Sequence, residues 1–358
     1  MLFNIETDAG DRLTGYLVPD SFEEVPEIAL YADGRLRWQG AATVAHPALV
    51  DAGRHRTGLC GFAIGGDEVP DLADFGDAEI RCAETGLVIY RRGAGRARVD
   101  RRLFRLETGT LPMRRFDGLM GRLFQAHYAG IERFGAETVS QLFMLNAQPS
   151  LYISGRIAVV PNARLLEGGV DLAVQLADPY EDLADRIWVL SGAGGRLTQY
   201  LDRREVAALA PALEVVDGID PRRPRAIRDV FRRLDPDAAL ALSNPLTRQM
   251  ACSDPSAEAG GGAVSAALRA LAGFSVVAIR EAVGAFEDAV ADRLGLEGLL
   301  PARDPEPPLR GRLADQLAGI DTVEALLEAD LEIYASVSNV FEDVAGDSPV
   351  PCGAKAAP

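Results

Sequence analysis

The chain has 358 residues, of which 48% are hydrophobic and 25% charged, and its formal net charge is −16. This length and composition predict two globular domains. The acidic charge argues against generic nucleic-acid binding and against attraction to anionic membranes, because both need a basic surface. There is no run of about 18 apolar residues, and the acidic start MLFNIETDAGDRL differs from a signal peptide, so a cytoplasmic protein without membrane insertion is expected.

Cysteine and lysine usage restricts the chemistry further. Cys60, Cys82, Cys252 and Cys352 are too far apart to suggest a zinc site or a disulfide scaffold. Lys355 is the only lysine, and it lies in the C-terminal tail. The predicted folded body therefore has no lysine to bind a phosphate, form a Schiff base or act as a general base.

Residues 1–107 predict a small all-β domain, because short β-rich runs alternate with turn signals. In EIALYADGRLRWQG, Asp33-Gly34 supplies the positive φ angles of a tight hairpin turn. The segment AEIRCAETGLVIYRR repeats this plan around Thr85-Gly86. The pattern indicates a β-sandwich, with an open barrel as the alternative.

An arginine-rich strip leads out of this domain. It predicts either an anion site or, the interpretation we favour, a solvated linker that pairs with the chain's own carboxylates. The strip contains Arg91, Arg92, Arg96, Arg98, Arg101, Arg102 and Arg105. Apolar residues at three- and four-residue steps then predict an amphipathic helix from Met113 to Phe134, within a connecting segment of residues 108–137. His127 falls on its apolar face and is expected to be a core residue rather than a base.

Residues 138–345 alternate short apolar runs with helical patterns, which predicts a mainly parallel, three-layer α/β domain. The candidate strands are QLFML, RIAVV, LAVQL and FSVVAI. Asp178 is predicted to cap a helix that starts at Pro179, with Glu181 completing a capping box. Residues 346–358 are expected to form a disordered tail.

Four short motifs follow one another in the C-terminal half of the chain. They are Asp178-Pro179, Asn244 with Thr247-Arg248, Phe274 to Ile279, and Asp330-Leu331 with Tyr334. In this order they resemble the bacterial sulfotransferases, which are P-loop-like α/β enzymes that move a sulfuryl group from 3′-phosphoadenylyl sulfate to a glycan hydroxyl. The resemblance covers roughly residues 138–340 and implies a sulfotransferase-like fold.

The departures from that family fall on the donor contacts. The resemblance implies a phosphate loop at residues 146–150, after QLFML, but the family's lysine is missing there. Its second-motif arginine and serine are matched by Ala177 and Asp185, and a carboxylate at that place would repel the 3′-phosphate. Donor binding then loses several kcal/mol, at roughly 1.5–3 kcal/mol per charged hydrogen bond. The remaining candidate donor-binding residues are Asn146, Gln148, Ser150, Arg156 and Arg248.

A second basic strip, DPRRPRAIRDVFRR, predicts either a surface for an anionic glycan or nucleotide, or a helix start with internal ion pairs. Its candidate substrate-binding residues are Arg222, Arg225 and Arg228. The N-terminal segment GYLVPD…ALYADGRL…AHPALVDAGRHRTGLCGFAI is similar to small β-domains attached to bacterial glycan-modifying enzymes. That similarity implies carbohydrate or partner contacts, and a β-sandwich kept for stability is the alternative.

The sequence therefore predicts a non-catalytic or divergent sulfotransferase-like protein that needs no cofactor. It would act in bacterial surface-glycan assembly as a glycan-binding or accessory component, with an anionic glycan or a protein as its partner. One alternative is an active glycan-modifying transferase with an arginine-based site for 3′-phosphoadenylyl sulfate, for which Glu181, Glu281 and His127 are unranked candidate bases. Another is a structural protein whose acidic surface docks a partner.

Overall fold

The structure, a computed structural model, describes residues 1–21, 23–93, 99–145 and 149–347. Asn146 and Gln148, Arg96 and Arg98, and residues 348–358 of the predicted tail lie outside this range. The strands of the described residues are β1 (Leu2–Asp8), β2 (Leu13–Val18), β3 (Glu27–Ala32), β4 (Arg35–Ala41), β5 (Val44–Ala45), β6 (Leu59–Ile64), β7 (Asp77–Cys82), β8 (Val88–Gly93), β9 (Arg102–Leu106), β10 (Ala126–Ala129), β11 (Leu151–Gly155), β12 (Asp171–Leu176) and β13 (Val276–Ile279).

The described residues also form fourteen α-helices, ten of which follow strand β12. They are α1 (Pro47–Asp51), α2 (Arg114–Leu123), α3 (Ala136–Phe143), α4 (Ala163–Leu166), α5 (Pro179–Leu190), α6 (Arg203–Ala208), α7 (Ala210–Val216), α8 (Pro224–Arg232), α9 (Pro236–Leu242), α10 (Pro245–Ala251), α11 (Ala263–Leu271), α12 (Ala285–Leu294), α13 (Arg310–Ala318) and α14 (Asp321–Asp347). The chain divides into two compact units. Unit 1 consists of Met1–Arg105, Arg114–Arg156 and Arg164–Asp171, and unit 2 consists of Leu106–Met113, Ile157–Ala163 and the chain from Leu172 onward.

Two antiparallel sheets form the N-terminal part of unit 1. Over the described residues, their strand orders are β1-β2-β6-β5 and β4-β3-β7-β8. The predicted hairpins are confirmed: β3 and β4 join through Asp33 and Gly34, both with positive φ, and β7 and β8 join through a turn in which Gly86 has φ +71°. Side chains of β7 alternate between buried and half-buried, as expected when only one face of a strand meets a core.

The arginine strip is tied to carboxylates and carbonyls of its own unit. Arg92 binds Asp8 of β1 through two hydrogen bonds of 2.6 and 2.8 Å, and Arg91 lies 3.0 Å from Glu79. Arg105 donates to Asp117 at 2.9 Å. The predicted pairing with the chain's own carboxylates is therefore confirmed for these three arginines. The predicted solvated linker is wrong for them, because Arg91 and Arg92 lie on β8, Arg105 lies on β9, and both Arg92 and Arg105 are buried.

Three predictions for the middle of the chain are wrong. QLFML overlaps helix α3 instead of forming a strand, and RIAVV follows strand β11 instead of coinciding with it. The single helix predicted from Met113 to Phe134 is helix α2 followed by strand β10, which contains His127. Apolar runs of four or five residues fit a buried strand and one face of a helix equally well, so periodicity does not distinguish them.

A third sheet has the order β10-β11-β9-β12-β13 over the described residues, and the pairs β10–β11 and β12–β13 are parallel. The predicted strands LAVQL and FSVVAI coincide with β12 and β13. Helices of unit 2 pack around a core built from α5, α7, α8, α9, α13 and α14. Asp178 accepts hydrogen bonds from the backbone N–H groups of Tyr180 and Glu181, so α5 begins at Pro179 as predicted. The predicted capping box is wrong, because the Glu181 carboxylate lies 3.8 Å from Arg280 and does not bond the Asp178 backbone.

Candidate functional site

The segment Glu107–Met113 of unit 2 follows the end of β9, the middle strand of the third sheet. Loops at the carboxyl ends of strands in a parallel sheet are where α/β proteins usually bind ligands. We call this segment the β9 loop. Its sequence, ETGTLPM, was not predicted as a site, although small and hydroxyl residues directly after a buried strand were a usable signal.

The β9 loop is held by side chains of its own unit. Thr110 donates its backbone N–H to the buried Asp182 carboxylate at 2.6 Å, and Arg186 Nη2 lies 3.3 Å from the same carboxylate. Gln249 donates its side-chain amide to the Glu107 carbonyl at 2.9 Å. The Glu107 carboxylate accepts from the Met113 backbone N–H at 2.9 Å, which closes the loop on itself.

A small cavity lies beside the loop and has a volume of about 20 Å³. It is lined by Thr108, Ala177, Pro179, Asp182, Pro245, Leu246 and Asp330. That volume holds about one water molecule, whereas cavities for small-molecule ligands measure some hundreds of Å³. The cavity therefore has no room for a nucleotide.

The second and fourth motifs of the sequence meet at this cavity. Asp330 of α14 is buried and accepts hydrogen bonds from the N–H groups of Leu246 and Thr247, at 3.0 and 2.7 Å, and from the Thr247 hydroxyl at 2.6 Å. Asn244 has φ +41°, and its side-chain oxygen accepts from the N–H groups of Ala329 and Asp330. The start of α10 and the middle of α14 thus satisfy each other's backbone groups.

Burial raises the pKa of Asp330 to about 6, although the hydrogen bonds from Thr247 and Leu246 act in the opposite direction. A buried carboxylate is costly because the charged form loses its hydration. Asp330 therefore exchanges its proton closer to neutral pH than an exposed aspartate does.

Arg248 has a structural position in unit 2. Its guanidinium is buried and donates to the carbonyls of Leu240 and Ala241, at 2.8 and 3.2 Å, near the end of α9. Burial lowers the pKa of this guanidinium. Arg248 thus donates hydrogen bonds to carbonyls in the last turn of α9, which have no partner within that helix.

Asp185, the residue matched to the family's serine, forms a buried ion pair. Arg310 donates from Nε to Asp185 Oδ1 at 2.8 Å, and its Nη2 lies 2.8 Å from Oδ2. Arg280, directly after β13, approaches Asp185 to 3.6 Å and Glu181 to 3.8 Å. Burial raises the pKa of both Asp185 and Glu181, while the arginines act against this shift. Asp185 and Glu181 thus already have arginine side chains as ion-pair partners.

Ser150 and Arg156 lie in unit 1. Ser150 is buried, accepts from the Gln125 backbone N–H at 2.9 Å, and precedes β11, so it lies at the amino end of that strand. Arg156 follows the carboxyl end of β11, where its backbone N–H donates to Glu132 at 3.0 Å and its guanidinium lies 3.7 Å from the same carboxylate. The structure thus places these candidates at opposite ends of one strand.

The three candidate substrate-binding arginines of the second basic strip lie at or just before helix α8 in unit 2. Arg222 precedes the helix and pairs with Asp220 at 2.9 Å, whereas Arg225 and Arg228 are on the helix and exposed. Among the candidate bases, Glu281 accepts a hydrogen bond of 2.5 Å from Tyr334, and burial lowers the pKa of His127. The His127 ring stacks on Tyr152 at 5.4 Å.

Comparisons with protein-family models, with curated proteins and with solved structures found no match to this chain. Within the described ranges, no helix is long and apolar enough to cross a membrane. In the same residues, no group of three or more His, Cys, Asp or Glu side chains is arranged to hold a metal ion.

Proposed function

We propose that the protein is a non-catalytic, sulfotransferase-like component of bacterial surface-glycan assembly, which works in the cytoplasm as a glycan-binding or accessory protein. The observation that carries the non-catalytic part is the β9 loop. Its Thr110 N–H group is bound by a buried carboxylate, and the adjoining cavity is the size of a water molecule.

A sulfuryl donor needs the opposite arrangement. Its phosphates require free backbone N–H groups and cations at the carboxyl edge of the sheet. In unit 2, the N–H of Thr110 already donates to Asp182, and the N–H groups of Leu246 and Thr247 already donate to Asp330. Two buried carboxylates at this edge repel a phosphate, since little solvent screens them.

The active-transferase alternative depends on Arg156 and Arg248. Each of these side chains already has partners in its own unit: Arg156 lies beside Glu132, and Arg248 serves the end of α9. To bind a donor, either arginine would first have to give up these contacts. The non-catalytic proposal therefore requires less rearrangement than the alternative.

Titration of the full chain with adenosine 3′,5′-bisphosphate tests the proposal. We expect no heat of binding and no thermal shift up to about 1 mM ligand. The measurement is sensitive enough, because a site with a Kd near 10 μM would stabilise the fold by about 2.7 kcal/mol at that concentration. Micromolar binding that is lost in Arg248→Ala or Arg156→Ala, but kept in the exposed control Arg164→Ala, would overturn the non-catalytic proposal and favour the active-transferase alternative.

A further inference from the structure

Helix α8 presents a row of arginines on the surface of unit 2. Ile227, Val230 and Phe231 are buried and fix one side of the helix against the core. Arg225, Arg228 and Arg232 follow one another at steps of three and four residues and are exposed. This spacing places the three guanidinium groups on one helix face. We call these residues the α8 arginine row.

The first two members of the row lack partners of their own among the described residues. Asp229 pairs with Arg232 at 2.8 Å, and Asp220, before the helix, pairs with Arg222 and Arg223. For Arg225 and Arg228, no hydrogen bond or ion pair connects the side chain to any described residue. Two uncompensated positive charges therefore stand one helical turn apart on a chain whose net charge is −16.

From this arrangement we infer that the α8 arginine row binds a linear polyanion of low charge density, namely an oligosaccharide that carries a carboxylate or sulfate on alternate sugars. Arginine suits this ligand because its planar fork matches the oxygens of both groups. The inference rests on the proposed glycan-binding function and adds the contacting helix face, with Arg225 and Arg228 as its unpaired cations, and the spacing of the anionic groups along the glycan.

The length of the row fits sparse charges. Arg225 and Arg228 lie about 4.5 Å apart along the helix axis, and Arg225 and Arg232 about 10 Å, at 1.5 Å per residue. One anionic group of the glycan can therefore lie between Arg225 and Arg228, while the anionic group of the next disaccharide lies near Arg232. The two free guanidinium groups match one or two anionic groups.

A dense polyanion fits less well. Duplex DNA carries a negative charge about every 1.7 Å of its axis, so several phosphates would lie along the row. The half-buried carboxylates of Asp220, before the helix, and Asp229, on the helix, lie close in sequence to the row and would repel a dense series of phosphates. An oligosaccharide with one anionic group per disaccharide avoids most of this repulsion.

The experiment measures binding of the full chain to two probes at low and at physiological salt. A hyaluronan octasaccharide carries one carboxylate per disaccharide, and a keratan sulfate octasaccharide that is sulfated only on its N-acetylglucosamine units carries one sulfate per disaccharide. The two probes have the same charge density, so the pair distinguishes the two anions. We expect at least one probe to bind, with affinity that falls as salt rises. A neutral dextran fragment should not bind.

Two matched double variants locate the site. Arg225→Glu with Arg228→Glu should weaken binding at least tenfold, and the glutamine pair should weaken it less. Arg203→Glu with Arg204→Glu makes the same charge change at exposed arginines of α6 and should leave the affinity within twofold. Equal losses in both pairs would mean that only the overall charge matters and would overturn the inference.

Two other outcomes would also overturn it. The first is that neither probe binds at low salt, and the second is that a short DNA duplex binds as tightly as the better probe. Neither result touches the non-catalytic proposal, which depends on the separate nucleotide titration. If adenosine 3′,5′-bisphosphate binds and the α8 variants still weaken glycan binding as expected, the non-catalytic proposal is wrong and the inference about α8 stands.

Discussion

Asp117→Ala is expected to lower the free energy of unfolding by about 3–5 kcal/mol, because it leaves a buried arginine without its carboxylate. Arg105 is only 1% exposed and donates to Asp117 Oδ1 at 2.9 Å. Tyr152 and Ser154 donate to the same oxygen at 2.6 and 2.9 Å. Burial alone would raise the pKa of Asp117, but Arg105 and these hydrogen bonds outweigh it and lower the pKa.

Urea unfolding followed by circular dichroism measures this loss. Glu137→Ala is the control, since its ion pair with Arg54 is exposed and such pairs contribute about 0–1 kcal/mol. Tyr152→Phe removes one of the three donors and should cost less than Asp117→Ala. If Asp117→Ala and Glu137→Ala cost the same, the buried network does not stabilise unit 1 as described.

Lowering the pH from 7.5 toward 4.5 is expected to add stability through Asp330. Its pKa is about 6 in the folded protein and 3.8 without the fold, so the folded state binds the proton more tightly. This contribution is fully present below pH 3.8 and is lost as the pH rises through 6, and it amounts to about 3 kcal/mol at most.

Asp330→Asn isolates this contribution from those of the other acids. Its amide oxygen can replace the carboxylate oxygen that accepts from Thr247, whereas its NH2 group faces the Leu246 N–H and cannot accept that bond. The variant is therefore less stable at every pH, but it no longer titrates, so only the pH dependence of the two proteins is compared. The measurement is the urea midpoint between pH 4.5 and 7.5 in both proteins. Between these limits, the wild type should lose stability relative to the variant as the pH rises. Parallel pH profiles would contradict the shifted pKa.

Local features of the structure were predictable because neighbouring residues determine them. Asp33-Gly34 forms its hairpin turn since these residue types tolerate positive φ angles, and Asp178 caps α5 since its carboxylate reaches the first N–H groups of the helix. The apolar and basic faces of α8 follow from helical spacing alone. These features need no information from distant parts of the chain.

The candidate site was predicted only in fragments. The motif residues Asn244, Thr247 and Asp330 were singled out, but their mutual hydrogen bonds link positions more than 80 residues apart. The β9 loop was overlooked because the sequence alone did not show that β9 would be the middle strand of a sheet. Asn146 and Gln148 lie outside the described residues, so their part of the prediction stays a prediction.

The amino-acid sequence by itself determined the turns, the helix caps, the amphipathic faces and the absence of lysine from most of the chain. Only the tertiary structure decided which charges have partners. Arg105 meets Asp117, Arg310 meets Asp185, and Arg225 meets no described carboxylate, although all are arginines in an acidic chain. The physical reason is that charge interactions depend on distance and burial, and folding sets both through residues far apart in sequence.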